Sequence, residues 1–409
     1  MVIPGLRKQA SWAMADQGMS SLTNFALTIV VLRTMPLPEF GVFSLVYALY
    51  QLTLSAGRAL VGQPLAIRFS ASPAETRDPE TKDALGAALV VGFAAAIPIA
   101  IAAQVTSGPL SRGLIAVAIS LPLLLVQDAW RFGLFAAGHP QRAFVIDLIW
   151  GVGQVLSVVI ILLGPGPSLF LYLLGWGLSG AISVAIPAIA TRTALKPIRG
   201  IAWLRSNQDL GIRYVAESAL LNGAEQAVRV LIGIVAGLEI LGALNGTRTI
   251  FGLITVLILG AEVFGITEGT RILERNPGRH QRFTSGLAVV LTIAPLMVAA
   301  VLALVPQSLG VSAVGDSWTE IRRLVWPVGI LVAAQGFTSA YRIGLRSLAD
   351  ARSSLKAQTF SAPIVLGLGV VGAYIGTAQA AAIGLAAGNI FSAALFRQYF
   401  VTARKRSRQ

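Results

Sequence analysis

Ionisable side chains inside long apolar segments are the residues of this sequence that could do chemistry. Arg58 and Arg248 each lie well within an apolar run, with no acidic residue within four positions. A charge at the centre of a bilayer costs about 2.5–3.5 kcal/mol on insertion scales, so each such residue needs a partner or a function. A guanidinium stays charged and donates two parallel hydrogen bonds to a phosphate or a carboxylate. We therefore expect Arg58 and Arg248 to contact an anionic ligand or a carboxylate on another helix.

Further charged residues in the apolar runs form pairs with helical spacing. The pairs Asp128–Arg131, Arg213–Glu217 and Glu225–Arg229 are three or four positions apart, so each pair could neutralise itself on one helix face. A carboxylate whose protonation changes during a transport cycle could instead couple that cycle to an ion gradient. The candidates for coupling or gating are Asp16, Asp128, Glu217, Glu225 and Arg229, and the candidates for substrate contact are Arg58, Arg131, Arg248 and Arg342.

A second group of charges lies within about two turns of a predicted helix end. Long side chains in this position can reach the lipid headgroups, which lowers the cost of keeping them in a span. This interpretation applies to Asp16, Asp147, Arg213, Glu262, Arg342 and Arg397.

The composition identifies the class of protein that must position these side chains. Of the 409 residues, 55% are hydrophobic and 12% are charged, and the mean hydropathy is +0.74. A soluble exterior cannot be built from so few charged residues, so a soluble enzyme, a secreted disulfide scaffold and a disordered regulator are excluded. The chain has no Cys and only two His, His139 and His280, both in predicted loops. We therefore expect no metal and no cofactor.

About twelve apolar runs are long enough to span a bilayer. They fall at 12–33, 40–66, 84–106, 113–136, 143–163, 168–190, 210–235, 240–267, 284–306, 322–345, 357–376 and 378–400. Most of the 32 Lys and Arg residues lie in loops on the side of the N-terminus. The positive-inside rule then predicts that both termini are cytoplasmic. The charge of +14 is thereby assigned to a membrane face, and no nucleic-acid partner is expected.

The segment 191–209 is a basic linker that divides the chain into two halves of six spans each. RFGLFAAG, starting at Arg131, matches RIGLRSLA, starting at Arg342. Such a repeat is typical of transporters built from duplicated lobes. We predict an all-α polytopic membrane protein with an N-terminal lobe at 1–190 and a C-terminal lobe at 210–409, which ends in a basic cytoplasmic tail. The two six-helix lobes would surround a central cavity.

Three stretches resemble a known family. The small-residue first span with Asp16, the pattern R-x5-E-F-G-x-F-S-L from Arg33, and the turn GHPQRA after the fourth span are similar to polysaccharide exporters of the Wzx type. These belong to the multidrug/oligosaccharidyl-lipid/polysaccharide (MOP) exporter superfamily. The resemblance implies a flippase of the bacterial plasma membrane. Such a protein moves a polyprenyl-(pyro)phosphate-linked oligosaccharide outwards by alternating access, for cell-surface polysaccharide biosynthesis.

The resemblance also implies partners and a site. The lipid II flippase of the superfamily holds pyrophosphate with arginines of its first, second and eighth spans. Arg58 and Arg248 stand in the second and eighth spans here, whereas Arg33 lies at the outer end of the first. The implied partners are the lipid-linked glycan, membrane lipids and a polysaccharide polymerase or glycosyltransferases.

Three alternatives remain open at this stage. A multidrug or organic-cation antiporter of the same superfamily would have an acidic, aromatic-lined cavity. A membrane glycosyltransferase or polymerase would have an acidic cluster in a large outer loop, but the longest predicted outer loop, 306–320, offers only Asp316 and Glu320. A scaffold without transport activity would have no need of the buried arginines.

Overall fold

A computed structural model describes residues 4–219 and 223–406 of the chain. The structure does not describe the side chains of residues 4–10, 13, 224, 225, 253, 259, 263, 267 and 351. The structure is 91% helical, and the described residues form no strand. The all-α class predicted from the sequence is therefore confirmed.

Contacts divide the chain into two compact units. Unit 1 comprises Met1–Met35 and Val42–Gln226, and unit 2 comprises Pro36–Gly41 and Ala227–Gln409. The described helices of unit 1 are α1 (Pro4–Thr34), α2 (Leu37–Gly57), α3 (Gln63–Phe69), α4 (Ala74–Val105), α5 (Gly108–Ala136), α6 (Pro140–Leu163), α7 (Leu169–Ala190), α8 (Pro197–Ser206) and α9 (Gln208–Ser218). The first residues of α2 belong to unit 2. A π-helical turn, Arg58–Gly62, joins α2 to α3.

Unit 2 is also built from helices in its described part. They are α10 (Ala224–Val235), α11 (Leu238–Ile250), α12 (Gly252–Arg275), α13 (Pro277–Leu304), α14 (Gln307–Val314), α15 (Trp318–Ser347), α16 (Ala351–Tyr374) and α17 (Ala378–Arg406). The 3₁₀ turn Gly315–Ser317 lies between α14 and α15. The last residues of unit 1 form the start of α10.

Nine helical segments among the described residues are long and apolar enough to cross a membrane. A tenth is added if Leu238–Ile250 and Ile254–Arg275, which are bent by 60° at their junction, form one broken span. Two of the twelve runs predicted from the sequence, 12–33 and 210–235, are not among these segments. The count of twelve spans therefore stays a prediction.

One central helix organises each unit. In unit 1, α5 packs against α4, α6 and α7, and it is buried along most of its length. In unit 2, α15 packs against α11, α12, α13, α16 and α17. Arg131 lies on α5 and Arg342 on α15, so the two copies of the sequence repeat occupy the central helices of the two units.

Small residues and aromatic rings bring the helices of unit 1 together. Gly92 of α4 lies against the backbone of Pro122 in α5, where a Cβ would come within 2.5 Å of the Pro122 Cα. The ring centroids of Tyr50 and Trp176 are 4.7 Å apart at 87°, and those of Trp150 and Trp176 are 5.7 Å apart. Contacts between aromatic rings stabilise a core beyond the area that they bury. They fix α2, α6 and α7 around α5.

Candidate functional site

The π-helical turn Arg58–Gly62 places the first functional side chain. Pro64 has no N–H to donate to the Leu60 carbonyl, and its ring clashes with a carbonyl four residues earlier in an α-helix. The chain widens instead, and the Gln63 N–H donates to the Arg58 carbonyl five residues before it. Single π turns within α-helices are frequent at functional sites because they re-aim the side chains around them.

Two glycines allow this turn to approach α5 closely. A Cβ on Gly57 would come within 2.5 Å of Leu125, and a Cβ on Gly62 within 2.9 Å of the Phe132 ring. The close approach brings Arg58 within reach of α5.

Arg58 forms a two-pronged ion pair with Asp128 of α5. Its Nη2 lies 2.7 Å from Asp128 Oδ1, and its Nε lies 2.9 Å from Asp128 Oδ2. The guanidinium carbon also lies 6.0 Å from the centre of the Phe132 ring. The sequence reasoning left an anionic ligand and a carboxylate of another helix open as partners of Arg58. In the structure a carboxylate holds it.

Arg131 lies in the middle of three carboxylates. It donates through Nη2 to Asp16 of α1, its Nη1 lies 3.5 Å from Asp128 Oδ1, and its Nε lies 3.2 Å from Asp147 Oδ1. Gln127 of α5 also donates to Asp147, with an Nε2–Oδ1 distance of 2.8 Å. The helical pairing of Asp128 with Arg131 predicted from their spacing is thus present.

We call Asp16, Arg58, Asp128, Arg131 and Asp147 the ion cluster. Three carboxylates face two guanidiniums, so the cluster carries one surplus negative charge when all its members are ionised. Asp16 Oδ1 and Asp147 Oδ2 are buried and accept no hydrogen bond from any described residue. An unsatisfied carboxylate oxygen in a buried, net-negative cluster is costly, because burial penalises unpaired charge.

Burial separates Arg58 from the rest of the ion cluster. The side chain of Arg58 is 41% exposed, whereas that of Arg131 is 9% exposed. Asp16 and Asp147 are 1% and 2% exposed. The interpretation that these two aspartates reach the headgroups is therefore wrong, since both point into the protein and bind Arg131. Sequence reasoning missed Asp147 as a site residue, and only its position in an apolar run marked it.

Unit 2 contains a smaller counterpart on its own central helix. Arg342 Nη1 lies 3.5 Å from Glu262 Oε1, and Ser339 Oγ donates to the same oxygen at 2.8 Å. The guanidinium carbon of Arg342 lies 5.5 Å from the centre of the Phe396 ring. Both arginines of the sequence repeat, Arg131 and Arg342, thus bind a carboxylate from another helix.

The remaining predicted site residues lie in α9 to α11. Glu217 of α9 is exposed, whereas Arg229 of α10 and Arg248 of α11 are half-buried. The side chain of Glu225 lies outside the described residues. The roles predicted for these four residues stay predictions.

His280 differs from the sequence-based expectation. It lies in α13, not in a loop, and it is fully buried. Its Nε2 lies 2.7 Å from Ser347 Oγ of α15. We interpret this histidine as part of the contact between α13 and α15.

Comparisons with known proteins give the fold a context. No protein-family model and no curated protein matches the sequence. Among solved structures, a multidrug resistance MATE family transporter of the MOP superfamily in an inward-facing conformation superposes with a TM-score of 0.71 at 13% identity. That match covers 96% of this chain and 99% of the other.

Two further structures have the same architecture. An outward-facing MATE family transporter of the MOP superfamily matches with a TM-score of 0.60 and 18% identity, over 98% of this chain and 95% of the other. The lipid II flippase MurJ in an inward closed conformation matches with a TM-score of 0.70 and 10% identity, over 97% and 90%. At such low identity the likeness concerns the fold. The chain therefore has the fold of MATE transporters of the MOP superfamily and of the lipid II flippase.

Proposed function

We propose that the protein is a secondary transporter, and not an enzyme, that flips a polyprenyl-(pyro)phosphate-linked oligosaccharide across the bacterial inner membrane by alternating access. Its N- and C-termini would face the cytoplasm. Such a headgroup cannot cross about 30 Å of hydrocarbon unaided. The glycan would serve cell-surface polysaccharide synthesis, and a polymerase or glycosyltransferases would be its functional partners. The fold shared with MATE transporters and the lipid II flippase supports this class of activity.

The observation that carries the proposal is that Arg58 is held by a carboxylate on one side and stays partly exposed. Asp128 occupies its Nε and Nη2, and its Nη1 donates to no described residue. Because Asp128 fixes the orientation of the guanidinium, its Nη1 is preorganised to donate to a phosphate oxygen. The Arg58 side chain as a whole is 41% exposed, so it is not sealed in the core as Arg131 is. Asp128 would thus position Arg58 and Arg58 would bind the phosphate.

The ion cluster also suggests how transport is driven. One proton would neutralise the surplus charge on Asp16 or Asp147, the two carboxylates with an unused buried oxygen. Loss of that proton would strengthen the hold of the carboxylates on Arg131 and change how tightly Asp128 holds Arg58. A proton gradient could in this way be coupled to the release of phosphate.

A multidrug or organic-cation antiporter is the second candidate function. The surplus carboxylate of the ion cluster favours it, because a negative site attracts a cation. The aromatic rings of Tyr50, Trp150 and Trp176 do not favour it. They are 5%, 7% and 1% exposed and pack against each other, so they offer no open face to an organic cation.

A binding experiment separates the two candidates. The purified protein would be titrated in detergent with undecaprenyl pyrophosphate and, separately, with ethidium, a cationic dye. We expect the pyrophosphate lipid to bind and Arg58→Ala to weaken it at least about tenfold, since a hydrogen bond to a charged group contributes about 1.5–3 kcal/mol.

The matched control for this experiment is Arg112→Ala. Arg112 is an exposed arginine in the first turns of α5, the helix that also carries Asp128. We expect this substitution to leave the affinity unchanged. Binding of ethidium without binding of the pyrophosphate lipid would contradict the flippase and favour the antiporter.

A further inference from the structure

The short helix α8 packs closely against α4. At the crossing, Gly86 and Gly200 bring the two backbones into contact, and a Cβ on Gly200 would lie 2.2 Å from the Gly86 carbonyl carbon. Trp203 is 4% exposed, and its Nε1 donates to Glu80 Oε2 at 2.8 Å. The segment predicted as a linker is therefore a fixed structural element of unit 1.

The two contacts of α8 lie on either side of a boundary within α4. The sequence of α4 is polar up to Asp83 and apolar from Ala84 onwards, so this point marks where the helix enters the hydrocarbon. Glu80 lies on the polar side of the boundary and Gly86 on the apolar side. Because α8 contacts both, we expect it to lie at the level of the lipid headgroups.

The face of α8 that points away from α4 is apolar and basic. Gly200 and Trp203 are buried, whereas Ile198 and Ile201 are 85% and 41% exposed and Arg205 is also exposed. Residues 198, 201 and 205 share one face because they are three, four and seven positions apart. We call Ile198, Ile201, Ala202 and Arg205, together with the exposed Arg199 at their flank, the α8 outer face.

The charge of this region has a single sign. Residues 191–206 contain Arg192, Lys196, Arg199 and Arg205, all exposed, and no acidic residue. An exposed apolar strip between arginines at headgroup depth has the chemistry of a helix that lies in a membrane interface. Two isoleucines and one alanine are far too few for a stable protein interface of about 800 Å² per partner.

We propose that the α8 outer face binds the headgroups of anionic phospholipids. The isoleucines would enter the boundary between headgroups and acyl chains, and Arg199 and Arg205 would bind lipid phosphates. The site is separate from Arg58 and from the ion cluster, and it does not depend on the function proposed above.

The bend between α8 and α9 is held by contacts with α3. Arg68 of α3 donates to the Ser206 carbonyl and to Asn207 Oδ1, at 3.1 and 2.7 Å, and its Nη2 lies 2.7 Å from Asp209 Oδ2. Desolvation opposes the shift, but a hydrogen bond from the Leu210 backbone and the charge and hydrogen bonds of Arg68 together hold the pKa of Asp209 below its usual range. The bend between α8 and α9 is thus fastened to α3, so α8 is held ready for lipid in a preformed position.

The test measures lipid binding to the full chain in a neutral detergent. Native mass spectrometry would compare retention of phosphatidylglycerol with that of phosphatidylcholine. We expect selective retention of phosphatidylglycerol, and we expect the double variant Arg199→Ala/Arg205→Ala to weaken it about 25-fold, or about fivefold for each arginine. Both arginines are exposed, so an unchanged thermal midpoint would show that the fold is intact.

The control is the double variant Arg279→Ala/Arg282→Ala. It removes two exposed arginines of α13 and should leave the affinity for phosphatidylglycerol unchanged. An equal loss in both double variants would overturn the proposal, because general positive charge would then explain the binding. Equal retention of both lipids by the unmodified chain would overturn it as well.

Discussion

Replacing Arg131 should destabilise the protein far more than replacing Asp147, although the two side chains contact each other. Arg131 lies 3.2 Å from Asp147 and 3.5 Å from Asp128, and it donates to Asp16. At an effective dielectric constant of about 20, each of the two measured contacts provides about 5 kcal/mol of Coulomb attraction, before the cost of desolvation. The central guanidinium therefore offsets most of the burial cost of the carboxylates around it.

Arg131→Gln would leave Asp16 and Asp147 without a guanidinium partner in the ion cluster. Removing one partner of a buried ion pair costs about 3–5 kcal/mol, because the other charge stays buried and uncompensated. Arg131→Gln makes the ion cluster more negative, whereas Asp147→Asn removes its surplus negative charge. Two aspartates would then face two arginines, and the new amide oxygen could still accept from Gln127. We expect Asp147→Asn to change the free energy of unfolding by less than about 1 kcal/mol.

Thermal unfolding of each variant in the same detergent, followed by tryptophan fluorescence, measures this difference. The expected order of midpoints is unmodified protein and Asp147→Asn close together, with Arg131→Gln well below both. If Arg131→Gln unfolded at the temperature of the unmodified protein, or if Asp147→Asn fell as far as Arg131→Gln, the assignment of the surplus charge would be refuted.

Three further predictions concern local structure. Pro64→Ala restores an N–H four residues after Leu60, so the π turn should close into an α-helix and turn Arg58 away from Asp128; the affinity for undecaprenyl pyrophosphate should fall, and the thermal midpoint should fall with it, because the buried Asp128 loses its two-pronged partner. Gly336→Ala places a Cβ 2.2 Å from the Leu291 carbonyl oxygen, whereas a Cβ on Gly286 of α13 meets nothing within 4 Å. Only Gly336→Ala should lower the free energy of unfolding, by about 1–3 kcal/mol, and its thermal midpoint should therefore lie below that of Gly286→Ala. Asp350 caps α16 by accepting from Ser353 N at 2.9 Å, and although burial opposes it, hydrogen bonding from Ser353 holds the pKa of Asp350 below its usual range. Its stabilisation is therefore present above the ordinary carboxyl pKa and lost as the pH falls through the lowered one, so Asp350→Ala should cost about 1 kcal/mol at neutral pH and progressively less in acid once the carboxyl group is protonated, as measured by unfolding at a series of pH values.

Composition and hydropathy were sufficient to predict the all-helical membrane fold, because a bilayer accepts few other backbone arrangements. The sequence repeat correctly paired Arg131 with Arg342 as residues of equivalent central helices. Spacing also predicted the contact between Asp128 and Arg131, which depends only on the geometry of one helix.

The partner of Arg58 could not be predicted in this way. Asp128 is 70 positions away, and its contact with Arg58 depends on the π turn and on Gly57 and Gly62 packing against α5. The burial of Asp147 could not be predicted from the sequence either. Distance from a helix end gives the depth of a side chain in the membrane but not the direction in which it points, and that direction is set by the packing of α6 beside α5 and α1.

The measurement that tests the central claim most directly follows a lipid between leaflets. The protein would be reconstituted into liposomes with a fluorescent polyprenyl-pyrophosphate-linked sugar, and a membrane-impermeant quencher would report which leaflet holds it. Arg58→Lys would be compared with Arg112→Ala, since lysine keeps the charge beside Asp128 but lacks the planar donor edge. We predict transfer by the unmodified protein and by Arg112→Ala, and a strong loss with Arg58→Lys. Absence of transfer by the unmodified protein, or equal transfer by all three, would contradict a flippase that binds phosphate through Arg58.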